Sequence, residues 1–280
     1  MDSSDAAADA FGVLSDPSRV AILRELADCT RPLAETPVEF AELRRAVGFE
    51  DAGRFNYHLG ELTPDFAVKR DGGYVPTAVG LRAIGSIEAG TYTDDAEPRS
   101  GRIDHDCPAC GAPMQATYED QVVTVECPDH DVFVQTVVPP AAAGDASIRE
   151  LVSFAAGDVQ RDLEALADGA CPICSGRVDR VDHERTDGGN LTVELACRNC
   201  WLTTEFPVGV AALRHPAVVA LYYEHGVDLR ERFVTDLAFV DAGDDARLVS
   251  VDPFEAEVQV AVGDDALTLR VDDDLNVTEA

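Results

Sequence analysis

Residues Gly48–Leu62 read GFEDAGRFNYHLGEL, and the spacing of their apolar side chains decides how the first third of the chain folds. Asp51 stands where a helix N-cap is wanted, and Phe55, Leu59 and Leu62 follow at i, i+4 and i+7 along one helical stripe. Just upstream, VEFAELRRAVGF carries Phe40, Leu43 and Val47 at helical spacing, and Gly48 supplies the residue that ends that helix. Earlier still, DPSRVAILREL (Asp16–Leu26) opens with a capping Asp and Pro17 at the first helical position. Its buried stripe is Val20, Ile22, Leu23 and Leu26. Two short helices joined by a glycine-containing turn outline a helix-turn-helix.

On the wheel of the last helix Gly53, Arg54, Asn56, Tyr57 and Glu61 point outward, with His58 on the flank. Arginine, asparagine and tyrosine on one exposed face suit base edges and phosphates. FAVKRDGGYVPT (Phe66–Thr77) then reads as two strands around a tight Asp-Gly-Gly turn, with Lys69 and Arg70 beside it. This hairpin sits where a wing would flank a groove. Residues Thr77–Tyr92 return to a helix with Val79, Ile84 and Ile87, a candidate dimerisation element. The expected contacts to double-stranded DNA are Gly53, Arg54, Asn56, Tyr57 and His58 in the groove. Lys69 and Arg70 of the wing, with Arg44 and Arg45 of the preceding helix, are expected on phosphate.

The charge opposes this at first sight. The 280 residues carry a formal net charge of −31, and a polyanion is usually gripped with Lys and Arg. The excess is unevenly placed, however. Residues 17–92 hold 11 acidic and 9 basic side chains, against 38 and 13 in residues 93–280. With 33 Asp and 20 Glu but one Lys, Lys69, among 22 basic residues, the composition resembles that of proteins from salt-loving archaea. At molar salt the Debye length falls to about 3 Å, so carboxylates solvate the surface without strong mutual repulsion. At 46% apolar residues the chain is expected to fold rather than stay disordered, as two or more compact units. No apolar run reaches membrane-spanning length and the N-terminus lacks a signal-peptide pattern, so the expected compartment is the cytoplasm, with no membrane partner.

Seven of the eight cysteines lie in knuckle-like pairs. Cys107, Cys110, Cys127 and His130 give C-x2-C-x16-C-x2-H, and Cys171, Cys174, Cys197 and Cys200 give C-x2-C-x22-C-x2-C. Each set offers the donors and spacing of a zinc ribbon, so two structural zinc ions per chain are expected. His105 is a rival to His130 in the first set, and His183 reads as a loop residue. A reducing compartment disfavours disulfides, and the strands and turns that follow disfavour a thioredoxin-like redox pair. Fully ligated sites also leave no open position for catalysis, so no enzyme is expected. Between the sets, ASIRELVSFAAGDVQRDLEALADG is an amphipathic helix opened by a Ser147/Glu150 capping box. After them, HPAVVALYYEHG and DLRERFVTDL read as short helices, with Tyr222, Tyr223 and His225 as packing residues. ARLVSV, EAEVQVAV and ALTLRV alternate with period two, as a small antiparallel sheet.

FGVLSDPSRVAILREL, FNYHLGEL and the hairpin together resemble the ArsR-like winged helix-turn-helix regulators, over roughly residues 8–92. The resemblance implies a homodimeric DNA-binding transcription regulator. The family's Ser-Arg-His-Leu stretch falls on Asn56, Tyr57, His58 and Leu59, so its arginine is replaced by Tyr57. The Cys-x-Cys pair of metal-sensing members is missing from FAELRRAV, and Cys29 reads as a packed, inert thiol. The whole arrangement is similar to haloarchaeal regulators; a winged helix followed by a ribbon also resembles the archaeal relative of the general factor TFIIE, which acts through protein contacts. The expected fold class is α+β. A winged helix-turn-helix at 1–92 and a linker at 93–104 precede a first ribbon at 105–138, a helix at 139–169 and a second ribbon at 170–208. A helix pair plus small antiparallel sheet fills 209–280, and residues 105–280 are read as a sensory or assembly region.

Overall fold

The computed structural model describes residues 3–30, 36–92, 96–107, 110–129, 132–186, 189–229, 232–241 and 246–280. The chain divides into two compact units, one of residues 1–96 with 139–144, the other of residues 97–138 with 145–280.

In the first unit α1 (Ser3–Leu14) precedes α2 (Pro17–Cys29), whose Asp16 cap accepts the Ser18 amide at 2.8 Å. Strand β1 (Val38–Glu39) leads into α3 (Phe40–Val47). Gly48, at φ 80°, turns the chain as expected, and α4 (Ala52–Leu62) begins on the Asp51 cap, which accepts the Gly53 and Arg54 amides. Strands β2 (Ala67–Arg70) and β3 (Gly73–Pro76) form a hairpin closed by Asp71 and Gly72, both at positive φ, the two-residue turn that matches strand twist. β1 adds to it in the order β1-β3-β2, all antiparallel, and α5 (Ala78–Glu88) follows on a Thr77 cap. A short α6 (Pro140–Ala143) belongs to this unit by its contacts. Ile22, Leu23 and Leu26 of α2 pack with Leu43 and the Phe55–Leu59–Leu62 stripe, with Phe40 and Phe49 against Phe55 at 5.0 and 5.5 Å. The element order and this core are those of a winged helix-turn-helix.

The second unit holds three antiparallel sheets. Strands β4 (Arg99–Asp106), β5 (Pro113–Glu119), β6 (Val122–Glu126) and β7 (Val132–Val137) pair in sequence order. β4 begins inside the stretch read as a linker. α7 (Ile148–Ala167) carries the expected capping box and packs on this sheet through Leu151, Val152 and Ala155. The next sheet has β8 (Val178–Arg185), β9 (Leu191–Cys197) and β10 (Thr203–Pro207), in the order β10-β9-β8. α8 (Pro216–Glu224) matches the expected helix, but the described residues of DLRERFVTDL form no α-helix. Among its described residues Leu229 and Val234–Asp236 adopt 3-10 geometry, and α9 (Ala238–Asp241) comes after them. Leu229 and Leu237, at either end of that segment, both sit in the core. Strands β11 (Ala246–Val251), β12 (Phe254–Val262), β13 (Asp265–Val271) and β14 (Val277–Glu279) complete a four-stranded meander. Val193 and Leu195 share one core with Phe254, Val258 and Leu269, so the second ribbon and the C-terminal sheet are fused. The molecule is thus α+β, with helices leading and antiparallel sheets following. Among the described residues no helix is long and apolar enough to cross a membrane.

Candidate metal centres and recognition helix

In the second set the sulfurs of Cys171, Cys174, Cys197 and Cys200 all lie within 4.8 Å of one another. Cys171 and Cys200 Sγ are 3.6 Å apart, and Cys174 and Cys197 Sγ 3.5 Å. A disulfide would need about 2.05 Å. Sulfurs at the corners of a tetrahedron around an ion about 2.3 Å away stand roughly 3.8 Å apart. The observed spacing fits a shared ion and excludes a bond.

Backbone geometry explains why the thiols converge. The Cys171 amide donates to Gly176 O at 2.8 Å, and the Ser175 amide to Cys171 O at 2.8 Å, with Ser175 at φ 57°. The first set repeats this: the Cys107 amide donates to Ala112 O and the Gly111 amide to Cys107 O, with Gly111 at φ 70°. The partner knuckles match too. The amide two residues on donates to the leading sulfur in both, Asn199 to Cys197 and Asp129 to Cys127, each at 3.4 Å. Cys107, Cys110 and Cys127 accordingly cluster within 4.8 Å, with Cys110 and Cys127 Sγ 3.6 Å apart. His130, the expected fourth donor, lies outside the described residues. His105 is not in the cluster; its Nε2 is 3.0 Å from Asp236 Oδ1 and its ring lies 4.6 Å from that of Phe233.

The thiols of the second set titrate apart. The Asn199 amide, helped by the Cys200 amide and neighbouring thiols, brings Cys197 down to about 6. For Cys174 the Gly176 amide pulls downward, but the pairing with Cys197, desolvation and the other two thiols outweigh it and push it up to about 12. These values describe one coupled cluster, in which a proton kept on Cys174 stabilises the thiolate of Cys197. In the first set the Ala112 amide is likewise outweighed, by desolvation and the Cys127 and Cys107 thiols, and Cys110 is pushed up to about 11. An ion bound here must displace protons.

On α4, Gly53, Arg54, Asn56 and Tyr57 are exposed together, on the side away from the buried stripe. His58 corrects the expectation of a groove contact: it is buried, its ring 5.9 Å from that of Phe49 and 5.3 Å from that of Tyr57. Its Nδ1 is 3.7 Å from Asp16 Oδ2, too far for a hydrogen bond. Arg44 is half-buried and donates to Glu50 O at 2.7 Å, bracing the turn between α3 and α4, while Arg45 is exposed. Lys69 and Arg70 are exposed beside the hairpin turn, with Lys69 Nζ 5.9 Å from the Tyr74 ring. Sequence reasoning missed the Arg19–Glu61 pair at 3.4 Å, which ties α2 to α4 and offsets the acid on the exposed face. The spacing of two helices in sequence gave no signal for it.

Two smaller expectations change, and a third holds in part. Cys29 is exposed rather than packed, although burial of its sulfur and the Glu25 carboxylate raise its pKa and keep it a thiol. His183 lies in strand β8, its ring 5.1 Å from that of Phe254. Tyr222 is buried near Phe239, Tyr223 is exposed, and His225 pairs with Asp265 at 3.0 Å.

Residues 7–87, the winged helix, match the family described as domain of unknown function DUF7347. No curated protein and no solved structure matches the chain. Residues 104–277, from β4 into β14 and well over half of the chain, match a second description, and by that match the protein belongs to the family described as domain of unknown function DUF7351.

Proposed function

We propose that the protein is a DNA-binding transcription regulator of the ArsR-like winged-helix type, dimeric and cytoplasmic, with two structural zinc sites. The observation that carries the reading is the exposed row of Arg54, Asn56 and Tyr57 on a helix anchored from behind. Anchoring matters because side chains on a rigid helix meet base edges with little further loss of entropy. Exposed Arg45, Lys69 and Arg70 supply the flanking phosphate contacts. At molar salt counterion release contributes little, so hydrogen bonds, shape and dimer geometry carry the affinity. Phe11 of α1 and Val79 of α5, both exposed, support a dimer face on those helices.

Zinc is the favoured ion because four sulfur donors at tetrahedral spacing suit it, and closed coordination assigns it a structural role. Position 130 follows Cys127 as Cys200 follows Cys197, which supports His130 as the fourth donor of the first set. Metal analysis of purified protein should return about two zinc per chain. Selection from random duplex DNA in molar potassium chloride should yield a palindromic site, weakened by Arg54→Ala. Trp201 is 79% and Ile173 57% exposed, each beside a cysteine of the second set. They favour a second reading, protein contacts at the transcription machinery, which prevails if no DNA sequence is enriched.

A further inference from the structure

The second unit forms a partly open cavity of about 210 Å³ between α7, the β4–β7 sheet and the segments around Pro207 and Val234. Its size limits the occupant. An apolar cavity of about 150 Å³ takes one benzene ring, whereas pockets for drug-sized ligands begin near 300 Å³. A single substituted ring or a compact aliphatic molecule fits, and a nucleotide does not.

The wall chemistry narrows the class further. Most of the lining is aliphatic or aromatic, with Val125, Val152, Val159 and Phe206 among it. Among the described residues no Lys, Arg, Asp or Glu lines the cavity, so the walls they form offer neither an anion nor a cation a counter-charge on leaving water. Three of the lining residues are polar; Gln135 donates to Thr124 Oγ1 at 3.2 Å, and the other two are underused. Thr235 Oγ1 is buried without a hydrogen-bond partner among the described residues. His105 Nε2 is also buried, and although Asp236 Oδ1 is 3.0 Å away, it lies off the line needed for a hydrogen bond from the ring. Buried polar atoms without partners are rare, and two of them at one small cavity call for a group that both donates and accepts. A hydroxyl does so while remaining neutral.

We infer that this cavity binds a small neutral apolar molecule, one ring in size, that carries a hydroxyl group. The inference is independent of the DNA-binding reading, and its test contains no DNA, so either can fail alone. The probes are 4-fluorophenol and fluorobenzene, titrated into the zinc-loaded full chain and followed by fluorine NMR. Both should bind saturably, 4-fluorophenol about three- to tenfold tighter, the worth of roughly one net hydrogen bond. Thr235→Val should shrink that preference to within about twofold while leaving fluorobenzene bound. Val159→Phe, which fills the cavity, should abolish both signals without lowering the thermal midpoint; if that variant misfolds, Ala156→Leu makes the same test. Absence of saturable binding by either probe overturns the site. Binding that survives filling in a folded variant overturns its location, and fluorobenzene binding as tightly as 4-fluorophenol overturns the hydroxyl class.

Discussion

Loading the four-cysteine centre with zinc should expel at least two protons per ion at neutral pH. In the metal-free chain Cys197, at about 6, is already largely thiolate at pH 7. Cys174, pushed up to about 12, keeps its proton. So does Cys200, whose pKa is raised because desolvation and the Cys171 thiol outweigh the pull of the Leu202 amide. A tetrathiolate needs every ligand deprotonated, so Cys174 and Cys200 must each release a proton as the ion enters. Two protons released make the apparent affinity rise about hundredfold per pH unit between pH 7 and 8. The sign is fixed: acid weakens binding, and below about pH 6 Cys197 must also be stripped of a proton, so the loss steepens. The measurement adds zinc to metal-free protein in a weakly buffered indicator solution and counts protons per ion. Competition against a chromophoric chelator across pH 6 to 8 then gives the slope. A Cys110→Ser/Cys127→Ser background removes the first centre from the count. Fewer than two protons per ion, or an affinity indifferent to pH, would refute the assignment of these thiols as the ligands.

A contrast within α5 tests the winged-helix packing. A Cβ at Gly80 would stand 2.1 Å from Phe66 O, the same carbonyl that accepts the Thr77 amide, whereas Gly85 has nothing within 4 Å. Gly80→Ala should cost about 2–4 kcal/mol in urea unfolding, and Gly85→Ala should be neutral or stabilise by up to about 1 kcal/mol. For the Asp51 cap, hydrogen bonds from the Arg54 and Gly53 amides hold its carboxyl below the usual range. Its stabilising contribution is therefore full above the unfolded value near about 4 and fades as pH falls through the lower folded value. Asp51→Ala should lower the urea midpoint at pH 7 and lose that part of the acid sensitivity, while Asp51→Asn should retain the cap.

Much of this was legible because local signals agreed with the final packing. Asp51 with its i, i+4, i+7 stripe, Gly48 at a left-handed turn, and the Ser147/Glu150 box each act within a few residues, and each reappears as read. The cysteine clusters were legible for the same reason: a two-residue gap is a property of one tight turn. What escaped depends on distant partners. Strand β1 is two residues long and exists because Glu39 lies against Gly73, where a Cβ would collide with Val38 O at 2.7 Å. His58 looked peripheral on a wheel, but the depth at which a helix sits is set by neighbours such as Phe49. Helix α1 also escaped, although Ala10, Val13 and Leu14 stand at i, i+3 and i+4 and pack on the core of the first unit. The 228–237 segment reads as a short helix in sequence, yet its described residues hold only 3-10 geometry, with Leu229 and Leu237 in the core.

The single lysine has a practical consequence. Apart from the chain terminus, Lys69 is the only primary amine in 280 residues, and it projects from the hairpin opposite Tyr74. Amine-directed chemistry will therefore mark one defined place, the tip of the wing. A dye attached there becomes a position-specific reporter, quenched or shifted when something settles against that hairpin. The same scarcity means that enzymes which tag lysine side chains have one target on this chain, and it lies beside the surface we propose for DNA.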